Sequence, residues 1–179
     1  MILDVGCGDR PQGTVNVDLA LSSEELYFEE RRINPKQIPN FVKADAHYLP
    51  FKTACFQKVF CIHTLEHLSK PVIAIKEMLR VANGKCMIRV PARSHEQIQC
   101  FFVPQRRIWV KKYHRHSFTR SALLDLMPNF KIHYSYHVFS VIHGLKQIRK
   151  TTRNFLKYLF YSFGSTFFPP TPDEIVASL

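Results

Sequence analysis

The sequence predicts a doubly wound α/β domain: a mostly parallel sheet with helices on both faces and a first helix that is reduced or absent. Three observations predict it. Short apolar and β-branched runs alternate with helical stretches from residue 2 to residue 90, the pattern of parallel strands joined by crossovers. A Gly-Cys-Gly turn, residues 6 to 8, follows the first run directly. Acidic residues, Asp18 and Asp45, close the next two runs. The length of 179 residues and 46% hydrophobic content fit one domain spanning 1–179 with a sizeable core.

Each element follows from its residues. Ile2 to Val5 reads as a buried strand and Val15 to Leu19 as a second, with Pro11 and Gly13 shaping the turn between them. About ten residues separate these strands, too few for a long crossover helix. Residues 22 to 32 read as a helix, with Ser22 or Ser23 at its cap and Glu24 and Glu25 favouring its dipole. Phe41 to Ala44 and Lys58 to Ile62 are the third and fourth strands. Ser69 to Ala82 places Val72, Ile75, Met78 and Leu79 at helical spacing, with Asn83-Gly84 as a stop. Cys86 to Val90 is a fifth strand, closed by Pro91. Past residue 92 the pattern loosens. A helix is expected over Thr119 to Met127, capped by Ser117 or Thr119, and a strand over Ile132 to Val141. Residues 142 to 163 read as a basic amphipathic helix, and Glu174 to Ser178 as a final strand.

Composition narrows the function classes. The five cysteines are odd in number and form no C-x-x-C pair, which argues for buried free thiols in a reducing, cytoplasmic setting. No leader pattern and no apolar run long enough to span a bilayer is present, so a soluble protein, or one peripheral at the membrane surface through residues 142–163, is expected. The net charge of +11 is uneven: between Phe101 and Lys157 the only acid is Asp125. Such a field attracts phosphate-bearing partners, whether nucleic acid, anionic lipid or a nucleotide-linked substrate. A solvated basic surface is the plain alternative.

The Gly-x-Gly turn lets backbone N–H groups approach a ligand closely. Asp18, at the end of the second strand, is placed to accept the hydroxyl hydrogens of a ribose diol. Asp45-Ala46 is placed beside an adenine edge. Each carboxylate also has a structural reading, Asp4 as a turn holder and Asp18 and Asp45 as strand-end caps.

At this point the stretches ILDVGCGDRPQG, VNVDL, KADAHYLPF, FQKVFCIHTLEHL and IKEMLRVANGKCMIRVPA, in order and spacing, resemble the class I S-adenosylmethionine-dependent methyltransferases of the type 11 group over residues 2 to 92. The likeness extends to compact forms associated with saccharide biosynthesis. It implies a Rossmann-like fold with a cofactor-binding half, 1–92, and a substrate-side half, 93–179. It also implies that S-adenosylmethionine is consumed and S-adenosylhomocysteine released. Asp4, Gly6, Cys7 and Gly8 would surround the methionine part, Asp18 and Leu19 the ribose, and Asp45 and Ala46 the adenine. Cys61, Ile62 and His63 would line the mouth where the methyl group is transferred. The sequence departs from the family at Arg10, where a glycine is usual, and at Asn83-Gly84, which shortens a proline-glycine turn.

His63, His114 and His116 are candidates for a base where the acceptor must lose a proton, His63 first. His63-Thr64-Leu65-Glu66-His67 also spells H-x-x-E-H, the order of an inverted zinc-peptidase motif. Zinc would need both histidines on one settled helix. The pentapeptide instead follows a strand at once, and the family carries a similar L-E-H without metal. No metal is therefore expected, and Glu66 and His67 are read as satisfying nearby backbone groups.

The acceptor expected is a small molecule, a glycan or a lipid-linked compound. RNA methylation is the runner-up, because Arg106, Arg107, Lys111, Lys112 and Arg115 interleave with Trp109, Tyr113 and Phe118. A non-catalytic S-adenosylmethionine-binding or interaction protein is a third reading, because no residue besides Met1 precedes the first strand to close the pocket.

Overall fold

The computed structural model describes residues 1–19, 35–102, 104–135 and 174–179. Its strands are β1 (Ile2–Val5), β2 (Val15–Asp18), β3 (Phe41–Lys43), β4 (Phe56–Ile62), β5 (Ala82–Pro91), β6 (Lys131–Ser135) and β7 (Glu174–Ser178). Its helices are α1 (Pro71–Val81), α2 (Arg93–Phe102), α3 (Pro104–Tyr113) and α4 (Arg120–Leu126), with short 3-10 turns at Pro35–Gln37 and Leu65–His67. The strands form one sheet in the order β3-β2-β1-β4-β5-β7-β6. All run parallel except β7, which is antiparallel to both neighbours.

The chain first builds outward from β1 to β2 and β3, then returns to place β4 on the other side of β1. This reversal opens a crevice at the carboxyl ends of β1 and β4, where ligands of open α/β sheets sit. Both faces of β1 are covered: Leu3 and Val5 are fully buried on one and Asp4 is buried on the other. They join Val17, Val59, Cys61, Ile88, Met78 and Val81 in one core that continues to Leu123 and Ile175. Helix α1 lies against β4 and β5, and α4 against β6.

The link from β1 to β2 contains no helix, as the short spacing predicts. Gly13 is required there because a Cβ would stand 2.4 Å from the Val15 carbonyl oxygen and 2.8 Å from the Asp4 nitrogen. Buried Asn16 pins the link by accepting from Gly13 N at 2.9 Å and donating to the Pro39 carbonyl at 2.7 Å.

Several boundaries differ from expectation. Asn83-Gly84 does not stop α1; Ala82, in extended conformation, ends it and leads straight into β5. Gly84 serves the sheet instead, at φ +147°, where a Cβ would meet the Gln57 carbonyl oxygen at 2.7 Å. Two helices, α2 and α3, occupy the stretch in which the sequence showed no regular pattern. Thr119 is the cap of α4, its side chain accepting from Ala122 N. The expected helices at 22–32 and 142–163 lie outside the described residues, as does the expected strand beyond Ser135.

Candidate functional site

The turn after β1 is held from three directions. Gly6 N and Cys7 N donate to the Val17 carbonyl at 2.8 and 3.1 Å, and Gly8 N donates to Asp18 Oδ2 at 2.9 Å. Gly6 and Gly8 both have left-handed backbones, φ +75° and +52°. Their surroundings differ. A Cβ on Gly6 would lie 2.1 Å from Thr64 Oγ1 and 2.7 Å from Thr64 Cβ, whereas one on Gly8 would meet nothing within 4 Å. Gly6 is thus the point of contact between the β1 turn and the end of β4, and Gly8 borders open space.

Asp4 is buried within β1 and accepts from Gln12 N at 2.8 Å, which makes it a holder of the turn. Burial raises its pKa; the Gln12 hydrogen bond opposes this, and the Asp18 charge adds to it. The Cys7 thiol is pushed up to about 12 by burial and by the charges of Asp18 and Asp4. Asp4, Cys7 and Asp18 therefore share one electrostatic neighbourhood. Leu19 beside them is exposed.

β3 lies beside β2, and Ala44 N donates to the Asp18 carbonyl at 3.1 Å, which brings the Asp45 turn next to Asp18. Asp45 Oδ1 accepts from His47 N at 2.9 Å and pairs with His47 Nδ1. His47 Nε2 in turn accepts from Lys70 N at 3.2 Å, which places its proton on Nδ1. Partial burial raises the Asp45 carboxyl, but the His47 hydrogen bonds outweigh it and hold the pKa low. Ala46 is buried behind this turn.

At the end of β4, Cys61 points into the core and is fully buried, its thiol driven up chiefly by burial. Alternation along the strand puts its side chain on the face of Val59. Ile62 is half-buried, and His63 is exposed with a left-handed φ of +51°. His63 Nε2 lies 2.8 Å from Glu174 Oε1, and Nδ1 lies 3.6 Å from Glu66 Oε1. Burial lowers this imidazole, but Glu174 and Glu66 together raise it to about 9. Carboxylates thus flank the ring at both nitrogens.

The sequence reading missed three participants. Thr64 packs on Gly6, and its Oγ1 donates to the Gly6 carbonyl at 3.3 Å. Glu174 comes from the last strand, 111 residues from His63. Arg89 Nε stands 3.3 Å from Glu174 Oε2, an ion pair without hydrogen-bond alignment. Nothing in the local pattern around 174 signals this meeting, which the antiparallel insertion of β7 beside β5 creates. Of the two other candidate bases, His114 Nδ1 pairs with Glu96 Oε1 on α2, and His116 N donates to the Glu66 carbonyl at 3.1 Å while its ring lies 6.0 Å from that of Phe118.

Residues 3–88 match the family model described as a methyltransferase domain. The fold is similar to an S-adenosylmethionine-dependent methyltransferase of Thermotoga maritima, described as a possible histamine N-methyltransferase, at 14% identity and TM-score 0.62, covering 99% of this chain and 80% of that one. It is similar to an S-adenosylmethionine-dependent methyltransferase of Archaeoglobus fulgidus at 13% identity and TM-score 0.60, covering 99% and 84%. It also resembles phosphoethanolamine N-methyltransferase 2 of Haemonchus contortus, solved with phosphomonomethylethanolamine and S-adenosylhomocysteine, at 14% identity and TM-score 0.60, covering 99% and 48%. With the glycine turn at the β1/β4 crevice and the match over residues 3–88, that part of the chain is a methyltransferase domain of the class I S-adenosylmethionine-dependent type 11 group.

Proposed function

We propose that the crevice at the carboxyl ends of β1 to β4 holds S-adenosylmethionine and transfers its methyl group to a small-molecule, glycan or lipid-linked acceptor. The observation that carries this reading is the joining of the Gly6–Gly8 turn to Asp18 by the Gly8 N to Asp18 Oδ2 hydrogen bond, beside a Gly8 that borders open space. The group fits: a left-handed glycine with room for a ligand, a carboxylate for a ribose diol and the Asp45 turn adjoin one another.

In this reading Gly8 admits the methionine end, with Asp4 and Cys7 fixing the turn from behind. Asp18 accepts from the ribose, Leu19 covers its edge, and Asp45 and Ala46 border the adenine. Ile62 and His63 line the mouth, with Cys61 supporting them from the core. When bound, the cofactor supplies an electrophilic sulfonium methyl. The chain's contribution is to hold the acceptor in line with it, since near-attack placement supplies most of the rate gain in such a displacement. His63, held in place by Glu174 and Glu66 on its two ring nitrogens, forms a fixed polar wall of the mouth against which an acceptor packs.

The neighbours described as a possible histamine N-methyltransferase and as a phosphoethanolamine N-methyltransferase support a small polar acceptor. The RNA reading rests on exposed Arg107, Lys111, Lys112 and Arg115 at the end of α3. RNA binding that weakens steeply with salt would move the acceptor to that class.

Calorimetry with S-adenosylhomocysteine tests the pocket. Asp18→Asn keeps an oxygen for Gly8 N but loses the charge. It is expected to weaken binding roughly tenfold to a hundredfold, the scale of a hydrogen bond to a charged group. Unchanged affinity in this variant would remove Asp18 from the pocket.

A further inference from the structure

Beyond the methyl-transfer crevice, we infer that Glu66, His67 and His114 form a binding site for a divalent zinc-type cation that clasps the end of α3 to the end of β4. One ligand atom from each of the three residues lies within 4.8 Å of the others. The three come from separate places: Glu66 and His67 from the turn after β4, and His114 from the segment that leaves α3. The His67 and His114 rings meet edge to face at 4.8 Å between centroids.

Two further observations point to a cation. Glu66 is only 1% exposed, and its Oε2 is buried with no hydrogen-bond partner, whereas Oε1 faces His63 Nδ1. A buried carboxylate oxygen left in this way is costly unless a positive group meets it. The histidines are also braced as metal ligands are. His67 Nδ1 lies 3.0 Å from the Tyr113 carbonyl, and His114 Nδ1 pairs with Glu96 Oε1, which accepts alongside a Ser117 hydroxyl donating to Oε2 at 2.9 Å. Acceptors on Nδ1 put the proton there and direct the lone pair to Nε2, the arrangement found behind metal-bound imidazoles.

Two imidazoles and a carboxylate suit zinc and its neighbours rather than magnesium or calcium. The backbone already joins the same two segments, since Arg115 N and His116 N donate to the Glu66 carbonyl at 2.9 and 3.1 Å. A cation would lock that junction, and with it the carboxylate that braces His63. The H-x-x-E-H pattern thus contributes its last two residues, while His63 turns away to Glu174.

The test is calorimetric titration of the chelator-treated protein with zinc chloride. One equivalent is expected to bind. Glu66→Gln and His114→Ala should abolish binding, Glu96→Gln should weaken it about 10- to 100-fold, and His133→Ala, at an exposed histidine on β6, should leave it unchanged. If a variant does not fold, imidazole NMR of the parent protein decides: zinc must shift His67 and His114 and leave His133 in place. No stoichiometric binding to the folded parent, or binding that survives every substitution, overturns the site. S-adenosylhomocysteine affinity is read separately, so failure here leaves the methyltransferase reading standing.

Discussion

At the scale of single residues, the two glycines of the β1 turn separate packing from ligand access. Gly6 carries both a left-handed backbone and a contact with Thr64 that leaves no room for a methyl group. Gly6→Ala is therefore expected to lower stability by about 2 to 4 kcal/mol, the sum of a backbone penalty and overpacking, read by denaturant unfolding. Gly8 carries the backbone penalty alone. Gly8→Ala should cost about 1 to 2 kcal/mol, keep the fold and still lose S-adenosylhomocysteine binding, because its new methyl group projects into the crevice. Equal loss of stability in the two variants would contradict this division. The need for glycine at both positions was legible in the Gly-Cys-Gly spacing. Which of the two answers to Thr64 was not, because that contact spans 58 residues.

At the scale of elements, α1 is tied to the loop before β4 by a charged network. Glu77 accepts from Leu49 N at 2.9 Å and from Arg80, whose guanidinium also donates to the Leu49 and Phe51 carbonyls. The Arg80 hydrogen bond, with that from Leu49 N, lowers the Glu77 pKa against a smaller effect of burial. A carboxyl group depressed in the folded state adds stability above its unfolded pKa of 4.5 and loses it as the pH falls through the folded value. Glu77→Gln should therefore lower stability at pH 7 by about 1 kcal/mol after solvent screening, read as a fall in melting temperature. It should also flatten the decline of melting temperature below about pH 4.5. Parallel melting curves for parent and variant across that range would exclude the network as a source of acid sensitivity. Element positions were largely legible, since β-branched runs and helical spacing are local properties. The exceptions have a physical cause. Asn83-Gly84 looks like a helix stop, but the sheet claims Gly84 because only a residue without Cβ fits against Gln57.

At the scale of the whole molecule, β7 is the piece on which the second half depends. It lies between β5 and β6, with Ile175 and Ala177 buried, and its Glu174 reaches back to Arg89 and His63. A chain ending at residue 173 is expected to lose its cooperative thermal transition, because among the described residues β6 then has no partner strand and β5 loses its neighbour on that side. A sharp melt in the truncated chain would show that β7 is dispensable. Among the described residues no helix is long and apolar enough to cross a membrane. What the sequence by itself determined was the series of strands, the glycine turn and the carboxylates that follow β2 and β3. These rest on backbone sterics and hydrophobic periodicity acting over a few residues. What only the tertiary structure decided was which distant side chains meet: Thr64 with Gly6, Glu174 with His63, and His114 with Glu66 and His67. Those meetings depend on strand order and on the reversed insertion of β7, and local spacing carries no record of either.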